Sequence, residues 1–169
     1  YASPGRATPH HLAMELFKLR TGTKLRHVPF NGTAGAVNAL IGGHVPTMFI
    51  PVHVGLTHAQ EGTIRILGVG SQKRSPQAAT VPTLAEQGIP GVEYDSWYGL
   101  LAPAAVPTAI LDKINADTNR GLDGAEVRAQ LLKLGFERKL GSRTDFVQLL
   151  RKEEEKTVRL VREANIKAQ

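Results

Sequence analysis

The chain has 169 residues, a formal net charge of +6 at pH 7 and no cysteine. That length allows one substantial core or two small lobes. The missing cysteine excludes disulfides, thiolate metal sites and a cysteine nucleophile, and it fits an oxidising compartment. No apolar run reaches the roughly 18 residues that a membrane-spanning helix needs. The 21 Lys and Arg are scattered in runs of at most two, with no aromatic platform among them. The charge therefore reads as a solvated basic surface that can attract small anions, not as a nucleic-acid interface. The chain begins at Tyr1 with neither an initiator Met nor a leader-like segment, which reads as a processed or cut chain.

Thr8 is placed to cap a helix whose first residue is Pro9, where no N–H is needed. Leu12, Ala13, Leu16 and Phe17 then recur at helical spacing until Gly22 stops the helix. "KLRHVPF" reads as a short strand ended by Pro29. Thr33 starts a second helix with Ala34, Val37, Leu40 and Ile41 on one face, stopped by Gly42-Gly43. "PTMFI" predicts a second strand, His53 to Gln60 a third helix, and "IRILGVG" a third strand. This alternation implies a parallel sheet covered by helices. It also implies a strand ahead of the first helix, of which only the tail is expected here.

The pattern changes after residue 70. "SQKRSPQAATVPTLAEQGIPG" is Pro-rich connecting structure with one short helix expected at Leu84–Gln87, and "YDSWYGLLAP" predicts a strand. Its Trp97 and Tyr98 are either core residues or one face of a hinge beside a cleft. Three helices follow. Residues 108–122 carry Ile110, Leu111, Ile114 and Leu122 on one side, and residues 125–134 carry Val127, Leu131 and Leu134. A long helix from about Ser142 turns Phe146, Leu149, Leu150, Leu160, Val161 and Ala164 inward. The domain expectation is an α/β lobe over 1–92, then one strand and helices over 93–169.

In an open parallel sheet, ligands bind outside the carboxyl ends of the strands. The loops expected there are 3–8, 30–33 and 50–53, and they bring Ser3, Gly5, Thr8, Asn31, Gly32 and Thr33 to helix N-termini that favour an anion. No G-x-x-x-x-G-K-[ST] run is present, and Gly5 stands alone where a dinucleotide fingerprint needs three glycines. His10 and His11 are neighbours, so on a helix they point about 100° apart and cannot share a metal; His44, His53 and His58 do not complete a set. His11 reads instead as a packing histidine whose ring nitrogen holds the loop. A nucleophile at Ser3 with a histidine and Asp95 lacks the G-x-S-x-G elbow.

The stretch "YASPGRATPHHLAMELFKLRTGTKLRHVPFNGTAGAVNALIGGHV" resembles the extracytoplasmic solute-binding receptors of tripartite tricarboxylate transporters, the Bug family. The resemblance continues through "KRSPQAATVPTLAEQGIPG", "SWYGLLAP", "LDKINADTNRGL" and "EVRAQLLKLGFE" to "ANIK". It implies an α/β, type II periplasmic-binding-protein-like fold, with two lobes and a ligand held between them. On that pattern the chain corresponds to the second lobe, a return strand and C-terminal helices that belong partly to the first lobe, most of which it lacks. The family's ligand loops fall on Ser3, Gly5, Ala7 and Thr8, and on Phe30, Asn31, Gly32 and Thr33. The resemblance implies a carboxylate held there by backbone N–H groups, hydroxyls and bridging waters.

Two departures from the family pattern matter. Ala2 and Ala7 replace glycines, so a positive φ at Ala7 would strain the loop. The third loop reads "MFIP" where an acid and an amide are usual. Ile50 and Pro51 thus imply a less polar wall, suited to a longer aliphatic or an aromatic acid. The expected function is a periplasmic, non-enzymatic receptor that delivers a small organic carboxylate to membrane transporter subunits. No cofactor, no metal and no nucleic acid is expected, and the chain by itself is expected to self-associate. The alternatives are the effector-sensing domain of a transcription regulator and a hydrolase built on Ser3.

Overall fold

A computed structural model describes residues 1–166. The chain forms two compact units: Tyr1–Ser96 together with the chain from Val158 onward, and Trp97–Thr157. Lys167, the last residue of "ANIK", lies outside the described residues.

The first unit is built around a short parallel seam. Strand β1 (Ala2–Ser3) pairs in parallel with β2 (Val28–Pro29), with Ala2 opposite Val28 and Ser3 opposite Pro29. On its other side Ala2 makes a parallel bridge to Met48, and its N–H donates to the Thr47 carbonyl at 3.0 Å. β1 is therefore central. Helix α1 (Pro9–Thr21) carries the chain from β1 to β2. Helix α2 (Thr33–Ile41) carries it from β2 back past β1 to Met48. These are the long crossovers that parallel pairing requires.

α1 starts at Pro9 after an extended Thr8 and ends at Gly22, whose φ of 67° is left-handed. This is the proline-first, glycine-last asymmetry of a well-marked helix. Thr8 occupies the cap position without capping through its side chain: its hydroxyl donates to the Gly5 carbonyl at 2.8 Å instead. Six consecutive residues, His11 to Leu16, are buried, so this stretch of α1 is enclosed on all sides instead of presenting one apolar stripe, while its last residues, Leu19 to Thr21, are exposed. α2 buries Ala36, Val37 and Ala39. Ala36 and Ala39 pack with Ala2 and Val45 in one core cluster; the small side chains let the helix lie close to the strand. A second cluster joins Leu12, Leu16, Val92 and Leu160. Each buried leucine contributes about 1.5–3 kcal/mol relative to exposure. Helix α3 (Val52–Gln60) completes the α/β part.

Several expected strands are shorter or absent. "KLRHVPF" pairs only at Val28–Pro29. "PTMFI" is reduced to the bridge at Met48, and "IRILGVG" to a bridge between Val69 and Thr83. "YDSWYGLLAP" forms no strand. Extended chain becomes a strand only when a ladder partner lies alongside. Pro46 and Pro51 bracket one segment and supply no N–H to a ladder. The other has its Leu67 carbonyl taken by the Gln87 side chain at 3.0 Å, 20 positions on, instead of by a neighbouring strand. The helix expected at Leu84–Gln87 is a run of turns, and the helical turn in that stretch lies earlier, a 3-10 helix at Pro76–Ala78.

The second unit contains helix α4 (Thr108–Asp123), helix α5 (Ala125–Lys133) and the first part of helix α6 (Arg143–Glu163). Gly124 ends α4 and caps α5. α6 opens on a reciprocal capping box: Ser142 Oγ accepts from the Asp145 N–H at 3.1 Å, and Asp145 Oδ2 accepts from the Ser142 N–H at 2.8 Å. Asn119 Nδ2 donates to the Gly141 carbonyl at 2.9 Å, fastening the turn ahead of α6 to α4. Trp97 meets Phe146 edge-on at 5.7 Å, and Tyr98 meets Phe136 likewise at 5.5 Å. The apolar faces expected to point inward on α4 and α5 are largely uncovered: neither helix has a buried residue, and Ile110, Ile114, Val127 and Leu134 are exposed. A unit this small has too little chain to cover every apolar face it carries.

Candidate functional site

Three segments leave the parallel seam at one edge: the loop after Ser3, the loop after Pro29, and the chain after Met48. From β1 the chain crosses first to one neighbour and then to the other. That reversal makes the gap between β1 and the Met48 segment a topological switch point, where open α/β sheets hold ligands. The first two loops are tied together, because the Phe30 N–H donates to the Ser3 carbonyl at 2.9 Å and the Gly32 N–H to the Pro4 carbonyl at 3.0 Å. α1, α2 and α3 all begin at this edge. Their first-turn N–H groups have no acceptor within their own helix, and the helix dipoles add a positive field.

The eight residues read from the sequence as ligand contacts divide into two layers. Ser3 is fully buried. Its Oγ donates to the Gly5 carbonyl at 2.8 Å, accepts from the Gly5 N–H at 3.2 Å, and lies 2.6 Å from His27 Nε2. Thr8 is half-buried and turned toward Gly5. Both side chains shape the loop from within. Ala7, Asn31 and Gly32 are exposed on the outside, while Gly5, Phe30 and Thr33 are half-buried between the layers. Phe30 packs its ring edge and Cβ over Gly35, where an added methyl would touch it at 3.8 Å. Ile50 and Pro51 are half-buried at the third segment.

Ala7 sits at φ 57°, in the left-handed region that costs a side chain about 1–2 kcal/mol. The compensating contact is direct: the Ala7 N–H donates to His11 Nδ1 at 3.0 Å. His11 holds the loop through its ring nitrogen, as the sequence suggested.

The supporting cluster beneath the loop is larger than the sequence revealed. The rings of His11 and His27 stack 4.0 Å apart, and Tyr1 stacks on His27 at 4.9 Å. The Tyr1 hydroxyl donates to Glu15 Oε1 at 2.5 Å, and Lys18 Nζ donates to both Glu15 oxygens at 2.7 and 2.8 Å. Burial and the Glu15 hydrogen bond raise the Tyr1 phenol above its ordinary range. Burial by itself would raise the Glu15 carboxyl, but the bonds from Lys18 and Tyr1 outweigh it and hold the group below its usual value. Burial lowers His11, with Glu15 opposing and Lys18 and Arg6 adding. Burial and then the charge of His11 push His27 down to about 4. Both imidazoles are neutral at pH 7. His27 carried no local sequence signal, because it reaches Ser3 only through the pairing of β2 with β1.

A profile of the tripartite tricarboxylate transporter family receptor, TctC, matches residues 1–166. The chain belongs to this receptor family. A UPF0065 protein from the tcbD–tcbE intergenic region of Pseudomonas sp. strain P51 is 34% identical over 169 residues, which is 99% of this chain and 50% of that protein. The structure of R. palustris Rpa4515 with adipate is 30% identical with a TM-score of 0.88, covering 98% of this chain and 56% of that one. MatC from Rhodopseudomonas palustris with bound malate is 29% identical with a TM-score of 0.77, covering 90% of this chain and 53% of that one. TctC receptors are solute-binding proteins, and the fold is α/β of the type II periplasmic-binding-protein kind. The chain spans about half the length of these relatives.

Proposed function

We propose that this chain forms one wall of a periplasmic receptor that captures a small organic carboxylate and hands it to a tripartite tricarboxylate-type membrane transporter. One observation carries the reading: three loops, each leading into a helix N-terminus, share the carboxyl edge of a parallel seam at a switch point. Backbone N–H groups at such an edge bind carboxylate oxygens without a dedicated cation. Ser3 and Thr8 hold the first loop in shape, Ala7 presents its outer surface, and Asn31 and Gly32 present that of the second loop, with Thr33 half-buried behind them. The role is capture and release, with lobe closure around the ligand, and no bond is made or broken.

The relatives support a carboxylate ligand, since Rpa4515 is described with adipate and MatC with malate. Within that class, Ile50 and Pro51 favour an acid with a longer apolar middle. The test is calorimetric titration of the full-length receptor with adipate, malate and an aromatic monocarboxylate. Adipate is expected to bind more tightly than malate, and Asn31→Ala and Thr33→Ala are expected to weaken it. Absence of binding to all three acids would overturn the reading. The regulator and hydrolase alternatives draw no support from the family match.

A further inference from the structure

We infer that His11 and His27 work as a neutral stacked pair that sets the shape of the Ser3–Thr8 loop, so that proton uptake at His11 loosens the loop and weakens ligand capture. The effect on capture rests on the carboxylate-receptor reading above; the effect on the loop does not.

Each ring makes one bond to the loop; protonation removes the one at His11, whereas the one at His27 survives it. His11 Nδ1 accepts from the Ala7 N–H at 3.0 Å, so that nitrogen carries no proton. Protonation turns it into a donor facing a donor and removes the contact that holds Ala7 at φ 57°. At His27 the network assigns the other tautomer. Ser3 Oγ already donates to the Gly5 carbonyl, so at 2.6 Å it accepts from His27 Nε2–H. With the rings 4.0 Å apart and only 13° from parallel, charging one opposes charging the other.

The groups around the pair do not rescue the charged form. Glu15 Oε1 is 3.8 Å from His11 Nε2, but Lys18 and the Tyr1 hydroxyl already bond that carboxylate. Arg6, from the loop itself, and Lys18, from α1, both act against a positive His11. Arg6 and the α-amino group of Tyr1 act against a positive His27, with Glu15 opposing. A bound anion would favour the charged pair, but that attraction passes through an exposed loop and is screened by water and salt. The donor–donor clash sits at contact distance. His11 and His27 are thus positioning residues, and protonation of His11 is coupled to the loop.

The test compares the full-length receptor with its His11→Asn/His27→Gln double variant. Asn Oδ1 replaces the acceptor at Nδ1, the Gln amide replaces the donor at Nε2, and neither titrates. Adipate and malate affinities are measured by calorimetry at about pH 7.5 and about pH 5. The native receptor is expected to lose affinity by about tenfold more than the variant over that interval, the equivalent of one pKa unit of coupling. Protonation of the acids themselves is common to both proteins and cancels. Equal losses in the two proteins would overturn the inference. In a ligand-free NMR titration, the Ala7 amide is expected to move with the His11 ring resonances; an Ala7 amide that ignores them would also overturn it. If neither acid binds at about pH 7.5 the receptor reading fails, and the amide titration still decides the coupling.

Discussion

Ala7 is where local strain and site geometry meet. Its φ of 57° suits glycine, yet a methyl group stands there, held by the bond from its N–H to His11. Replacing it with glycine removes the strain but adds unfolded-state entropy, so Ala7→Gly is expected to stabilise the fold by only about 0.5–1 kcal/mol. Ala7→Val puts a β-branched residue in the same region and is expected to cost about 2 kcal/mol. Denaturation midpoints of the two variants check both. The histidines beneath add a pH dependence. His27 titrates at about 4 in the fold against 6.5 in the free side chain, and His11 is shifted the same way. Between those values the unfolded chain binds more protons. Stability is therefore complete above about pH 6.5 and falls as the pH drops toward 4. After allowance for solvent screening the loss from His27 is about 1 kcal/mol. Thermal melts across that window are expected to show it, and His27→Gln to flatten it. Of the candidate site, the loop that gathers Ser3, Gly5 and Thr8 and the hold of His11 on it were legible, because these residues lie close together in the chain. Contacts between Ser3 and His27, 24 positions apart, are made by pairing, which no local pattern encodes.

The same division separates helices from strands. α1, α2, α3, α4, α5 and α6 were legible because their ends are written in the chain: Pro9 and Gly22 around α1, Gly42-Gly43 after α2, Gly124 between α4 and α5, and Ser142 with Asp145 before α6. The strands were over-read, since "IRILGVG" and "YDSWYGLLAP" have the composition of strands, but the first keeps a single bridge at Val69 and the second forms no strand. Burial was over-read on α4 and α5 for a related reason, as an amphipathic stripe names a face and not its partner. α1 carries burial that no apolar stripe marks: Glu15 is charged yet buried among Tyr1, Lys18 and His11. Leu16, in the cluster with Leu12, Val92 and Leu160, is expected to cost about 3 kcal/mol on truncation to alanine. Ser142→Ala removes one half of the box that starts α6 and is expected to cost about 1 kcal/mol. Chemical denaturation measures each.

At the scale of the whole molecule, the second unit leaves much apolar surface uncovered. Tyr98, Leu100 and Leu101 are 83%, 69% and 70% exposed, and Leu132 and Leu134 are half exposed. A run of this kind is a liability in a free chain. The isolated chain is expected to self-associate in sedimentation velocity, and Leu100→Ser/Leu101→Ser to shift it toward monomer; a monomeric profile for the parent chain would refute this. The first unit holds the opposite feature. Ala2 lies fully buried at the middle of the seam, bonded to Thr47 on one side and paired with Val28 on the other, with Ala36 and Ala39 pressed against it. An amide so placed opens only when the unit itself comes apart, so hydrogen exchange at Ala2 and Val28 should report global unfolding, while Asn31 exchanges freely. The loops would then be anchored on the slowest-exchanging part of the unit, like a hook set in masonry. Any yielding on ligand arrival would be confined to the few residues between Ser3 and Thr8 and between Phe30 and Thr33.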